Sequence, residues 1–207
     1  MKFTEVIMGM ILAATVCAQD RMPPIPADKM TAAQQDAARQ LASTPRGAGL
    51  GGPFVPLLRS PELMNRLQRV GEYVRFQSPL DGKLRELAII IAARQWTQQY
   101  EWDAHFPLAL KNGLKREIGM AIAQGRDPDA MSDDEDAIYN FVTELLQNRA
   151  VSDPTYSRVL AKFGEQGVID VTALVGYYST LGMVMNVART PANRPGEAPK
   201  LGAFPNP

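Results

Sequence analysis

Leu84-Arg85-Glu86-Leu87-Ala88-Ile89-Ile90-Ile91-Ala92-Ala93-Arg94-Gln95-Trp96 is apolar on almost every face, and a stretch of that length and composition predicts a helix buried all round. A second helix is expected over about 98–112, stopped at Gly113, so the chain turns back on itself just after Trp96. Upstream, Ser78-Pro79 with Asp81 gives the start signal of the apolar helix. Ser60-Pro61 opens another helix, in which Leu63, Leu67, Val70 and Val74 recur at helical spacing. Residues 30–43 read as a short helix ended by Pro45 and by Gly47, Gly49, Gly51 and Gly52. Downstream, a short helix stops at Gly125, and Ser132-Asp133-Asp134-Glu135 is a capping box for a helix to about 148 with Ile138, Phe141, Val142 and Leu145 on one side. Asp153-Pro154 starts one more, and 168–188 forms a long apolar helix. No stretch alternates as a strand does. The expected fold class is all-α, a bundle of antiparallel helices.

The chain has 207 residues, with 22 Lys+Arg against 22 Asp+Glu and 45% apolar residues, enough for one domain or two small ones with a sizeable core. Zero formal charge without a basic block removes the electrostatic footprint of a nucleic-acid binder. Residues 1–18 carry an apolar stretch over 6–18, shorter than the about 20 residues of a membrane-spanning helix and suited to a signal peptide, with Val16 and Ala18 placed for cleavage before Gln19. The competing reading is an N-terminal core helix. Cleavage after Ala18 would remove Cys17, the single cysteine, and with it thiol nucleophiles and thiolate metal ligands. The expected organisation is a leader over 1–18, an extended lead-in with a short helix over 19–50, a helical core over 51–125, a second helical half over 126–190 and a proline-rich tail over 191–207. The two halves share a coarse order of capped helix, apolar helix and turn, compatible with a decayed duplication.

His105 is the one histidine, so any imidazole mechanism must use it. Gln98, Glu101 and His105 are spaced three, four and seven apart and share one helix face. Glu86 lies in the apolar stretch, where a carboxylate is either paired or desolvated, and desolvation raises a carboxyl pKa. Such preparation suits a general acid or base. The plain alternatives are a satisfied structural histidine, an ion pair of Glu86 with Arg85 or Arg94, and core roles for Trp96, Tyr100 and Trp102. Arg94 could instead hold a substrate carboxylate and Trp102 line a pocket. Glu101 and His105, four apart, could also chelate a metal with Glu86.

Taken together, Leu84-Arg85-Glu86-Leu87-Ala88 followed by Gln98 and by Tyr100-Glu101-Trp102-Asp103-Ala104-His105 resembles the signature of the carboxymuconolactone decarboxylase and alkylhydroperoxidase D superfamily. The segments 52–61 and 163–170 also look like longer members, and the resemblance covers about 50–188. It implies the alkylhydroperoxidase D-like helical bundle, a homo-oligomer, and a decarboxylase-like core over 51–125. In the peroxidase branch two cysteines would stand where this chain has Gln98 and Glu101, so the resemblance excludes the thiol relay. In the decarboxylase branch, Glu86 and His105 are where the acid–base pair carries over, with Glu101 a weaker transfer. That branch removes CO₂ from a carboxylated unsaturated lactone without metal or organic cofactor.

The resulting expectation is a cofactor-free lyase or isomerase, exported to the periplasm or secreted, with Glu86 and His105 catalytic and Gln98, Glu101, Arg94 and Trp102 binding a small-molecule substrate. No metal, nucleic acid or stable membrane insertion is expected. The alternative is a non-catalytic exported helical protein that binds a ligand or partner.

Overall fold

The apolar stretch folds as helix α4 (Gly82–Gln95), in which Leu84 and residues 86–94 are all buried. The structure is a computed structural model that describes residues 19–45, 49–192, 196 and 198–202. The expected leader 1–18, with Cys17, lies outside the described residues, as do Gly47 and the last residues of the proline-rich tail. Before α4 come α1 (Ala32–Ala42), α2 (Phe54–Leu57) and α3 (Pro61–Glu72). After it come α5 (Gln99–Lys111), α6 (Arg116–Ala123), α7 (Asp133–Asn148) and α8 (Asp153–Ala188). Among the described residues there is no strand.

α4 is the axle of the bundle, packed by α5, α6, α7 and α8. It starts where the Asp81 side chain accepts a hydrogen bond from the Lys83 amide at 2.9 Å, a capping interaction worth about 1 kcal/mol. It ends in a paired-carbonyl turn in which the Gln98 amide donates to the Ala93 carbonyl at 2.8 Å and the Thr97 amide to that of Arg94 at 2.9 Å. That turn puts Thr97 at φ 46°, a left-handed conformation usually left to glycine. α5 is thereby folded back tightly along α4. The two stretches 51–125 and 126–190 share one hydrophobic cluster, in which Ile89 and Ile90 of α4 and Ile138 and Phe141 of α7 are 2% exposed or less.

Two expectations are corrected by the packing. The stripe of Leu63, Leu67, Val70 and Val74 faces the core only in part: Leu67 and Val74 pack on it, but Leu63 and Val70 are exposed, and α3 buries Met64, Gln68 and Gly71. The cause is that α1 covers that other face. Ser60 makes no side-chain cap; Pro61 at the first turn starts α3 by itself. The two helices expected over 153–188 are both present as the two segments of α8, divided at Gly164, whose φ 68° and ψ 178° are not helical.

Beyond α3 the chain widens into a π-helical turn over Tyr73–Gln77, closed by the Ser78 amide on the Tyr73 carbonyl at 2.9 Å and stopped by Pro79. Single π turns inside helices are uncommon and concentrate at functional sites. Here the buried Asp170 of α8 holds the turn, its Oδ2 accepting from the Ser78 hydroxyl at 2.7 Å and from the Tyr73 hydroxyl at 3.4 Å.

Candidate active site

Antiparallel packing of α4 and α5 brings His105 against Glu86, with Nδ1 2.7 Å from Glu86 Oε2. On the other side of the ring, Nε2 lies 3.4 Å from Glu101 Oε2, one helical turn back on α5. The three side chains are nearly dry, with Glu86 6% exposed and Glu101 and His105 4%. An ionised carboxylate can only accept, so with Glu86 ionised Nδ1 carries a proton, and the ring is fixed with Nε2 towards Glu101. Both nitrogens are therefore committed to opposite carboxylates. That arrangement orients an imidazole rather than converging three ligands on one point, and among the described residues no such group converges as a metal site.

His105 and Glu101 reach a cavity of about 220 Å³. This is smaller than the roughly 300–1,000 Å³ typical of sites for drug-sized ligands, so a ligand here must be small. One face of α5 forms a wall with Tyr100, Glu101, Ala104, His105 and Leu108. Gly49, Gly51, Pro53 and Phe54 form the second wall, and Arg75 of the π turn with Tyr178 and Leu181 of α8 completes the rim. Glu86 stands behind the imidazole, outside the lining. The loop beside Tyr100 has to be glycine: at Gly52, φ +54°, a Cβ would fall 2.3 Å from the Tyr100 ring. Tyr178 packs edge-on to His105 at 5.0 Å between ring centroids. Its hydroxyl is buried with no hydrogen-bond partner among the described residues. Burial pushes its pKa well above the ordinary phenol value, so it remains a donor at any physiological pH.

The other residues singled out from sequence lie elsewhere. Gln98 caps α5, its Oε1 accepting from the Tyr100 amide at 2.9 Å and its Nε2 donating to Asn186 at 2.8 Å, so it holds α5 to α8 and does not line the cavity. Arg94 leaves α4 on a different face, where it donates to Thr97 and to the Gly202 carbonyl, each at 3.4 Å, and borders a separate depression beside α6 and α7. Trp102 is 0% exposed and stacks on Phe106 at 5.3 Å, inside the core. Arg85 turns to the Leu80 carbonyl at 3.0 Å and Glu86 to His105, so the ion pair of Glu86 with a neighbouring arginine does not form. Sequence reading missed Arg75 and Tyr178. Arg75 depends on a π turn that no 3.6-residue periodicity signals, and Tyr178 sits 73 positions beyond His105 on a helix whose faces all read as apolar.

Residues 61–144 match the profile of the carboxymuconolactone decarboxylase family. The matched span contains Arg75, Glu86, Glu101 and His105 and leaves Tyr178 outside. The all-α bundle is the alkylhydroperoxidase D-like architecture of that family. No curated protein matches the chain closely enough to be called a relative.

Proposed function

We propose, from the match of residues 61–144 to the carboxymuconolactone decarboxylase family profile, that this decarboxylase-like protein is a cofactor-free lyase or isomerase of a small carboxylated or lactone-like substrate. The observation that carries the reading is His105, held between Glu86 and Glu101 at the wall of a small cavity. In the decarboxylation this supports, the bond from the substrate carboxylate to its α-carbon breaks and CO₂ leaves. The electron pair passes into the conjugated lactone carbonyl, and a proton from His105 Nε2 is delivered to carbon. Glu86 acts through His105, fixing the ring and stabilising its cationic form, the role of the buried carboxylate in a hydrolase triad. Tyr178 supplies a neutral donor for developing oxyanion charge. Gln98 and Glu101 stand where the peroxidase branch has cysteines, so thiol peroxidase chemistry forms no part of the proposal.

Export and self-association complete the reading. The apolar run 6–18 supports removal of residues 1–18. The exposed Leu63 and Val70 of α3 and Ile169, Met183 and Val187 of α8 support a homo-oligomer; α4 contributes nothing there, being buried within its own chain. The deciding experiment is a turnover screen of unsaturated lactone acids and small keto acids, with His105→Ala as control. Turnover that vanishes in the variant is the expected result. Ligand binding without turnover would favour the alternative of a binding protein, which the near-complete burial of His105 suits.

A further inference from the structure

Arg75 is a cation at the rim of this cavity with neither a hydrogen bond nor an ion pair among the described residues. Its guanidinium lies 4.9 Å from the centroid of the neighbouring Phe76 ring, which leaves its planar edge free to bind a ligand. The placement is built rather than incidental. Asp170 binds Ser78 and Tyr73 on either side of Arg75, and Gln166 Nε2 donates to the Tyr73 hydroxyl at 3.1 Å. Tyr178 lines the same cavity, and its buried hydroxyl is a second group without a hydrogen-bond partner among the described residues. A buried hydroxyl left without an acceptor is disfavoured by about 1–3 kcal/mol, which a ligand oxygen would relieve.

Charge decides which ligand these groups suit. His105 at the inner end is already held between Glu86 and Glu101, so Arg75 at the rim is the cation left to take an incoming carboxylate. A monoanion whose charge stays at the rim, on Arg75, with a flat uncharged body reaching His105, uses both ends of the cavity. A dianion such as phosphate does so less well. We propose that Arg75 and Tyr178 form a carboxylate-binding subsite that seats a small planar monocarboxylic acid with its far end against His105. Arg75 makes the charge-assisted contact to the carboxylate, and Tyr178 donates to the same group or to the ring oxygen beside it. This deepens, and rests on, the reading of His105 as the working acid.

The chain's one histidine makes its imidazole carbon-bound proton signals in an NMR spectrum an unambiguous reporter. Titration with 2-furoate should shift those signals saturably, whereas 2-furamide and inorganic phosphate should have little effect. Arg75→Met should weaken 2-furoate binding by about tenfold or more, the scale of one charge-assisted contact. Arg75→Lys should retain part of the affinity, and Tyr178→Phe should lose a few-fold. Equal binding by wild type and Arg75→Met would overturn the proposal, as would no shift with millimolar 2-furoate, or a response to 2-furamide or phosphate as strong as to 2-furoate. The Arg75→Lys variant separates loss of the contact from loss of the fold. Arg75-dependent binding without turnover of any lactone or keto acid would remove the catalytic reading and leave the subsite. Turnover with 2-furoate binding indifferent to Arg75 would do the reverse.

Discussion

Two buried carboxylates, one on α4 and one packed against it, do different work. Glu86, on α4, meets His105 beside a cavity. Glu135, on α7, meets Lys83 at 2.9 Å, and its other oxygen accepts from the Ser132 amide at 2.7 Å in a complete capping box. Burial by itself raises the Glu135 pKa, but the Ser132 amide and the Lys83 ammonium outweigh it and leave the carboxyl below its ordinary value. Glu135 is thus a charge whose partners are permanent and whose site is closed. Glu86 instead holds an imidazole that lines a cavity shared with Tyr178 and Arg75. Burial of a charge alone separates structure from chemistry poorly; what its partner can still do separates them well.

The comparison breaks most visibly at His105. His105→Ala and Glu86→Gln should each lower turnover per folded molecule by about 10²-fold or more, the scale of lost acid–base catalysis. Glu135→Gln should leave turnover per folded molecule intact. A Glu135 variant that loses activity while staying folded would erase the distinction.

Next in size is the stability carried by Glu135. Its replacement by Gln strands Lys83 and weakens the cap, a cost of about 1–3 kcal/mol by chemical denaturation at neutral pH. The pH dependence has a definite sign. The folded pKa lies below the ordinary value of 4.5, so the contribution is complete above that pH and is lost as pH falls through the folded value. The wild type should therefore lose stability in this acid range faster than Glu135→Gln, and parallel profiles would refute the assignment.

A smaller effect sharpens the cavity side. Gly52→Ala must adopt φ +54° and displace the Tyr100 ring, costing about 1–2 kcal/mol. The KM for a turned-over substrate, or the Kd for 2-furoate, should rise more than kcat falls. Smallest of all is Thr97→Gly. Removing a β-branched side chain from φ 46° should stabilise the protein by up to about 1 kcal/mol, without changing the Glu135 acid profile. Destabilisation would mean that the Thr97 hydroxyl contact with Arg94 outweighs the strain.

The helix inventory and the meeting of α4 with α5 were legible because caps, glycines and apolar runs are local signals. The Asp81 cap and the Ser132 capping box form at the expected residues. A short turn after an all-apolar helix permits little except antiparallel return. From there helical rise alone sets His105 near Glu86. That Arg94 lies away from the cavity was not legible because a helix apolar on every side gives no clue to which side faces one, and Trp102, one position beyond Glu101 on α5, turns into the core against Phe106. The exposure of Leu63 and Val70 was illegible because it depends on α1 covering the opposite face. Arg75 lay hidden in a turn with five residues to a hydrogen-bonded ring instead of four.

Gly164 bears on how such a protein can change over generations. A continuous helix transmits every inserted or deleted residue as a rotation of about 100° to all the residues beyond it. The break at Gly164 stops that transmission. The segment before it is tied to α7 by Arg158 and Lys162, which pair with Asp133, Asp134 and Asp136. The segment after it carries Asp170 and Tyr178. Length changes in the first segment can be absorbed at the glycine, so the ion-paired outer end of the bundle is free to drift in sequence while the phase of Tyr178 against His105 stays fixed.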